Sequence, residues 1–148
     1  MNSNTRLLFP GLAGFYAAMG PVAYTILRVV IGLIIFVHGW GKLHSGLAGV
    51  TMYFTKVGLP APELLAYCAI FLETVGALCV AIGLFTRFFA AALAIEMLIA
   101  LLFVHFAKGF SVGAGGYEYV LLLGIVLFMI AIRGGRVYSI DAKIGKEL

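Results

Sequence analysis

Charge is what this sequence has least of: 11% of its 148 residues are Asp, Glu, Lys or Arg, against 64% that are hydrophobic. A chain of that composition would not stay dissolved as a globule, which excludes a soluble enzyme. Cysteine is almost as scarce. Cys68 and Cys79 are the only two; they fall on one expected helix about 16 Å apart along its rise, too far for a disulfide. No C-x-x-C is present, so a dithiol redox centre is not expected either. There is no Glu-x-x-His pair for a di-iron carboxylate site. The glycines of Gly113 to Gly116 follow no strand and form no nucleotide fingerprint. No metal site and no intrinsic cofactor is expected.

What the chain has is apolar length, with a mean hydropathy of +1.14. The expectation is an all-α integral membrane protein, because only helices satisfy every backbone group within one apolar segment. Four runs are long enough to span or nearly so: Tyr24 to Trp40, Leu64 to Phe85, Phe88 to Phe106 and Tyr117 to Ile132. This predicts a four-helix bundle over residues 24–142, preceded by a segment 1–23 and followed by a tail 143–148. Thr86 and Arg87 are read as a tight turn between the second and third helices. Lys42 to Glu63 and Ala107 to Gly116, rich in Gly and Pro, read as loops, the first with a short amphipathic helix at Val50 to Val57.

Orientation follows from the basic residues. With both termini cytoplasmic, that side receives Arg6, Arg28, Arg87, Arg133, Arg136, Lys143 and Lys146, and the other receives Lys42, Lys56 and Lys108. Seven against three favours this arrangement. The net charge of +4 then needs anionic lipid as its partner and no nucleic acid. Leu7 to Met19 is apolar but interrupted by Pro10, Gly11 and Gly14. It is expected as an interfacial helix along the cytoplasmic face, in preference to a cleaved signal peptide.

Against this background three charges stand out. Glu73 and Glu96 lie near the middle of the second and third runs, and Arg28 lies near the start of the first. At about 1.5 Å of rise per residue, Glu73 is about 13 Å below the outer face and Glu96 about 12 Å above the inner one. A charge at that depth costs ~2.5 to 3.5 kcal/mol on insertion scales, so such residues are usually partnered, inward-facing and functional. Glu73 shares a helix face with Gly76, Val80 and Gly83; Glu96 shares one with Ala92, Ala100 and Phe103; Arg28 shares one with Gly32, Ile35 and Gly39. Small residues beside each charge allow close helix approach. Arg28 is expected to reach one of the carboxylates, and that pair either takes part in chemistry or only holds the bundle in register.

A second polar zone is expected at the outer end. His38, His105 and Glu118 lie near the outer ends of the first, third and fourth helices, with Lys42, His44, Lys108, Tyr117 and Tyr119 close in sequence. Trp40 and the tyrosines also suit the interface as anchors. His38 and His105 could ligate haem between two helices, but two histidines are weak grounds for it and haem is not expected.

These residues together carry a resemblance. The order Arg28 to Gly32, His38-Gly39-Trp40-Gly41-Lys42, Gly58-Leu59-Pro60, Glu73 with Gly76, and Gly83-Leu84-Phe85-Thr86-Arg87 resembles the DoxX family of small four-helix membrane proteins. His105, Gly109-Phe110, Gly115-Gly116-Tyr117-Glu118-Tyr119 and the tail Gly134-Gly135-Arg136 followed by Ser139-Ile140-Asp141 continue it, from about Tyr24 to Ala142. The family often has proline where this chain has Gly135. The resemblance implies a bacterial or archaeal cytoplasmic membrane and, for some members, a role as subunits of thiosulfate:quinone oxidoreductases or in quinone-linked and oxidative-stress detoxification. On this reading Arg28, Glu73 and Glu96 form an intramembrane site for quinone, with His38, Lys42, His105, Tyr117 and Glu118 at its outer mouth. Buried Glu, His and Tyr groups could supply the protons of quinone reduction. Electrons would come from a partner redox subunit. Two other readings stay open, a small proton, ion or solute transporter, for which four spans are few unless the chain forms a homo-oligomer, and a non-catalytic accessory or scaffold subunit.

Overall fold

The computed structural model describes residues 7–148; Arg6, one of the expected cytoplasmic charges, lies outside them. Every regular element among the described residues is helical. Helix α1 (Ala13–Lys56) follows a 3-10 turn at Pro10–Leu12, and α2 (Pro62–Phe71) continues through a π-helical turn at Leu72–Gly76 into α3 (Ala77–Ile82). Helix α4 (Thr86–Ala100) likewise continues through a π-helical turn at Leu101–His105 and a 3-10 turn at Phe106–Lys108. Helix α5 (Glu118–Arg133) and the short α6 (Ile140–Ile144) complete the chain. Three helical stretches are long and apolar enough to cross a membrane: Pro10–Lys56, Pro62–Ile82 and Thr86–Lys108. Helix α5 has 16 residues, about 24 Å of rise, and packs along α4.

Helix α1 differs from its sequence expectation at both ends. Of the segment expected as a separate interfacial helix, Pro10–Leu12 form the 3-10 turn and the part from Ala13 onward is the first part of α1, continuous in helical backbone through Pro21. From Ala13 to the next break the helix extends about 50 Å, well beyond the roughly 30 Å of a hydrocarbon core. At the other end, most of the expected loop from Lys42 is helical. The break comes at Gly46, whose φ of 72° and ψ of 159° are open to glycine and strained for other residues. Beyond it the helix resumes to Lys56, overlapping the amphipathic stretch expected at Val50 to Val57. The turn between α3 and α4 is at Gly83 to Phe85, and Thr86 already begins α4.

The core is a seam of Ile31, Ile35, Val80, Phe89, Leu93, Leu123, Leu127 and Ile130. Outside it the surface is apolar, with Val37, Ile95, Phe128 and Ile132 all more than half exposed, as suits helices solvated by lipid. Helix α1 lies close against α2 and α3 through two glycines. A Cβ on Gly32 would stand 2.7 Å from the Ala77 carbonyl oxygen, and one on Gly39 would overlap the Glu73 backbone. Small residues at such contacts are how helices approach within apolar surroundings.

The end of the bundle that carries the carboxy-terminal tail is tied by polar groups. Asp141, fully buried, accepts from the backbone N–H groups of Phe85 and Thr86 at 2.7 and 2.9 Å and from the Thr86 hydroxyl at 2.6 Å. It therefore caps α4 from a distant part of the chain, supplying acceptors for donors that no helix satisfies by itself. Gly83 accepts from the Asp141 N–H at 2.8 Å, and its own φ of 76° allows the turn. Tyr24 donates to the Gly134 carbonyl at 2.6 Å, and Arg87 donates to Glu147 at 2.7 Å. Asp141→Ala should lower the unfolding free energy in detergent by about 3 kcal/mol and Thr86→Val by about 1, because buried donors lose a charged acceptor. Thermal or denaturant unfolding monitored by circular dichroism checks this, and equal stability of wild type and Asp141→Ala would refute the cap.

Candidate functional site

Glu73 is 3% exposed and sits inside the π-helical turn Leu72–Gly76. Such a turn adds one residue to the helical repeat, frees backbone geometry locally and is frequent at functional sites. The neighbouring long helix has the same device at Leu101–His105, ending on His105. The second insertion alters the face expected from simple helical spacing. Ala92, Glu96 and Ala100 do share one cavity wall, but the wall continues at Val104 and His105 where regular spacing pointed to Phe103. Phe103 is nearly half exposed.

The cation that meets Glu73 is Lys42, whose ammonium donates to both carboxylate oxygens. Lys42 follows Gly39 by three residues on the same face of α1, so the close contact at Gly39 carries the lysine onto the carboxylate. Glu96 of α4 lies on the wall of the same cavity as Glu73. Its Oε2 is buried and has no hydrogen-bond partner. Lys42 offsets one of the two carboxylate charges, and the trio is neutral when the carboxyls hold one proton between them.

Arg28 does not join this group. Its guanidinium is 1% exposed and lies at the tail end, where it donates to the carbonyls of Val80 at 2.6 Å, Ala81 at 2.8 Å and Tyr138 at 2.7 Å. The expected Arg28 pairing with a glutamate is thus replaced by capping of α3. The last carbonyls of a helix are unsatisfied and carry its negative dipole end, so a buried guanidinium finds its acceptors there.

Two cavities meet at the Lys42–Glu73 pair. One, of about 330 Å³, is lined on its apolar side by residues such as Phe54, Leu72, Ile95 and Ile99, with Cys68 and Glu96 on its wall. The other, of about 320 Å³, lies under the 112–116 loop and has His38 and Tyr119 on its wall. Lys42, Glu73, Ala100 and His105 border both. Glu73 and Glu96 of the expected intramembrane zone and His38, Lys42 and His105 of the expected outer zone thus line adjoining cavities. Tyr117 and Glu118 are outside it. Tyr117 stacks on Phe106 at 5.7 Å and meets Phe110 edge-on at 5.6 Å, and Glu118 opens α5, its backbone N–H donating to the Phe110 carbonyl. Both serve to close the loop, while their neighbour Tyr119 faces the cavity.

His105 Nδ1 is 2.7 Å from the Gly115 carbonyl oxygen. A carbonyl can only accept, so Nδ1 carries the hydrogen and Nε2 is the nitrogen left to accept or exchange a proton. Among the described residues no group of three or more His, Cys, Asp or Glu is placed to hold a metal.

A model of the DoxX family matches residues 23–106. The chain is similar to CatD of Bacillus subtilis, provisionally named an oxidoreductase, with 33% identity over 116 residues that cover 78% of this chain and 82% of that one. It is 30% identical over 97 residues to the Escherichia coli inner membrane protein YphA, covering 66% of this chain and 61% of YphA. An uncharacterized Haemophilus influenzae protein is 30% identical over 131 residues, covering 86% and 94%. No solved structure matches.

The ion pair has a measurable coupling. Lys42 is 30% exposed at its side chain and Glu73 only 5%, so Lys42→Met or Glu73→Gln should each cost about 2 kcal/mol of unfolding free energy. The double variant should cost about 1 kcal/mol less than the sum. A double-mutant cycle from unfolding in detergent reads this directly, and strictly additive losses would dissolve the pair as an energetic unit.

Proposed function

The chain belongs to the DoxX family of membrane proteins, and on that premise we propose that it is a quinone-interacting subunit of a membrane redox or detoxification system. The observation that carries this reading is the 330 Å³ cavity, apolar along most of its wall and ending on Lys42, Glu73, His105 and the unpartnered Glu96 Oε2. A ligand suited to it has a flat apolar body and oxygens at one end. Lys42 has a third N–H for a ring oxygen beyond the two given to Glu73. Glu96 accepts from a hydroquinone hydroxyl or, when protonated, donates to a quinone carbonyl. The name borne by CatD, with 33% identity, supports a redox assignment. Cys68 and Cys79 are both free thiols, so electrons enter from a partner subunit in this reading.

The topology belongs to the same proposal. Helix α5 is the fourth span, both termini are cytoplasmic, and the membrane is the bacterial inner membrane. Arg28, Arg87, Arg133, Arg136, Lys143 and Lys146 then lie at the cytoplasmic end, and Lys42, Lys56 and Lys108 at the other. The similarity to YphA, named an inner membrane protein, supports that location. The meeting of two cavities on one ion pair also favours a second reading, a small proton or cation transporter.

Glu96→Gln should weaken binding of a short-chain quinone analogue to the purified protein by about tenfold or more, the worth of one hydrogen bond to a charged group. Quenching of Trp40, the single tryptophan, can report the titration. Unchanged affinity in a folded Glu96→Gln protein would take Glu96 out of the site. In proteoliposomes, proton or cation flux removed by the same substitution, without quinone affinity, would select the transporter. A carboxy-terminal fluorescent-protein fusion should be bright, as cytoplasmic fusions are, and a dark one would invert the topology.

A further inference from the structure

The cavity under the 112–116 loop takes no part in the quinone-binding role of the other cavity. It shares Lys42, Glu73, Ala100 and His105 with the membrane-facing cavity. Glu96 and Cys68 border only the membrane-facing side, and His38 and Tyr119 only the loop side. On the wall of the loop-side cavity His38 is exposed and Tyr119 is 37% exposed. The Lys42–Glu73 pair is thus a partition with titratable groups on both faces.

We propose that the loop-side cavity is a proton inlet and that Glu73, flanked by Lys42 and His105, relays protons between the loop-side aqueous phase and Glu96. The groups that share a cavity wall with Glu73 are Lys42 from α1, Glu96 from α4 and His105 from the π-helical turn beyond α4, with His38 and Tyr119 on the loop side. The hydrogen bond to Gly115 places a proton on His105 Nδ1 and leaves Nε2 as the exchanging nitrogen. A proton that reaches Glu73 from His105 or from inlet water neutralises its carboxylate and weakens one of the two bonds from Lys42. Transfer of that proton to Glu96 regenerates the Glu73 carboxylate, which takes back the full ammonium contact. The trio changes charge by the single proton admitted, and the reverse sequence makes the same route an outlet. Chains of buried carboxyl and imidazole groups serve this role in membrane proteins because bulk water is absent at that depth. The use of the proton by a bound ligand rests on the quinone reading; the route itself does not.

The test needs no quinone. Protein with Cys68→Ser, Cys79→Ser and Val112→Cys, the last on the loop-side cavity wall, is reconstituted in one orientation in proteoliposomes and examined by infrared spectroscopy after a pH jump. The carboxyl bands are assigned by Glu73→Gln and Glu96→Gln in the same background. The bands should follow a jump on the loop side and ignore one on the tail side. A bulky membrane-impermeant thiol reagent on Cys at position 112 should slow the response by about tenfold or more, with the unlabelled protein as its folded control. Bands that follow the tail side, or a full-rate response after complete labelling, would overturn the inlet. Loss of quinone binding with a sided response intact would sink the quinone reading alone, and quinone binding without a sided response would sink the inlet alone.

Discussion

The contact between Gly39 of α1 and the backbone of Glu73 governs the site. It brings two helices closer than side chains would permit, and the helical repeat then delivers Lys42, three residues on, to the carboxylate. The constraint is physical before it is functional. A lone carboxylate at that depth would be costly, and a lysine beyond van der Waals reach would leave it so. Anything larger than glycine at position 39 would push α1 away and separate the charges. The cavities, their shared wall and the exposed choice between accepting and donating at Glu96 all follow from how this one contact spaces the helices.

The two ends of the bundle divide their work differently. At the tail end, charged groups are consumed by backbone: Arg28 by three carbonyls and Asp141 by two N–H groups and a hydroxyl. Most of their hydrogen-bonding capacity goes to helix termini that no membrane lipid could satisfy, and Arg28 Nε is the buried atom there without a partner. At the loop end, Lys42 and Glu73 neutralise one another while Glu96 Oε2 is left without a partner. Buried polar groups are ordinarily satisfied, so an orphan carboxyl oxygen on a cavity wall is where a ligand's chemistry has something to do. The π-helical turns sharpen the contrast, since both fall where the chain presents Glu73 and His105.

Much of this was legible along the chain. Glu73 and Glu96 stand out because apolar runs surround them, and the glycine-bearing faces of Arg28 and Glu73 turn inward as helical spacing requires. The pairing was not legible. Arg28 and Lys42 lie on one face of α1, a little over 20 Å apart by helical rise, and both are long enough to meet a carboxylate if the partner helix is at their level. Only the vertical register of α1 against α2 and α3 distinguishes them. Phe103 gave a similar misdirection, because a π-helical turn leaves no composition mark and displaces every later residue on its face.

Composition and spacing by themselves determined that this is an apolar, helical membrane protein with Glu73 and Glu96 directed inward; the DoxX family rests on the order of its motifs and on the family match. They could do so because lipid imposes the same demands on every segment, for apolar length and for partnered charge. The tertiary structure alone decided that Lys42, not Arg28, meets Glu73, that Tyr119 lines the cavity in place of Tyr117 and Glu118, and that residues of both polar zones line adjoining cavities. Those outcomes depend on helix register, on a break at Gly46 and on two inserted π-helical residues, all of which are settled by packing between segments distant in the chain.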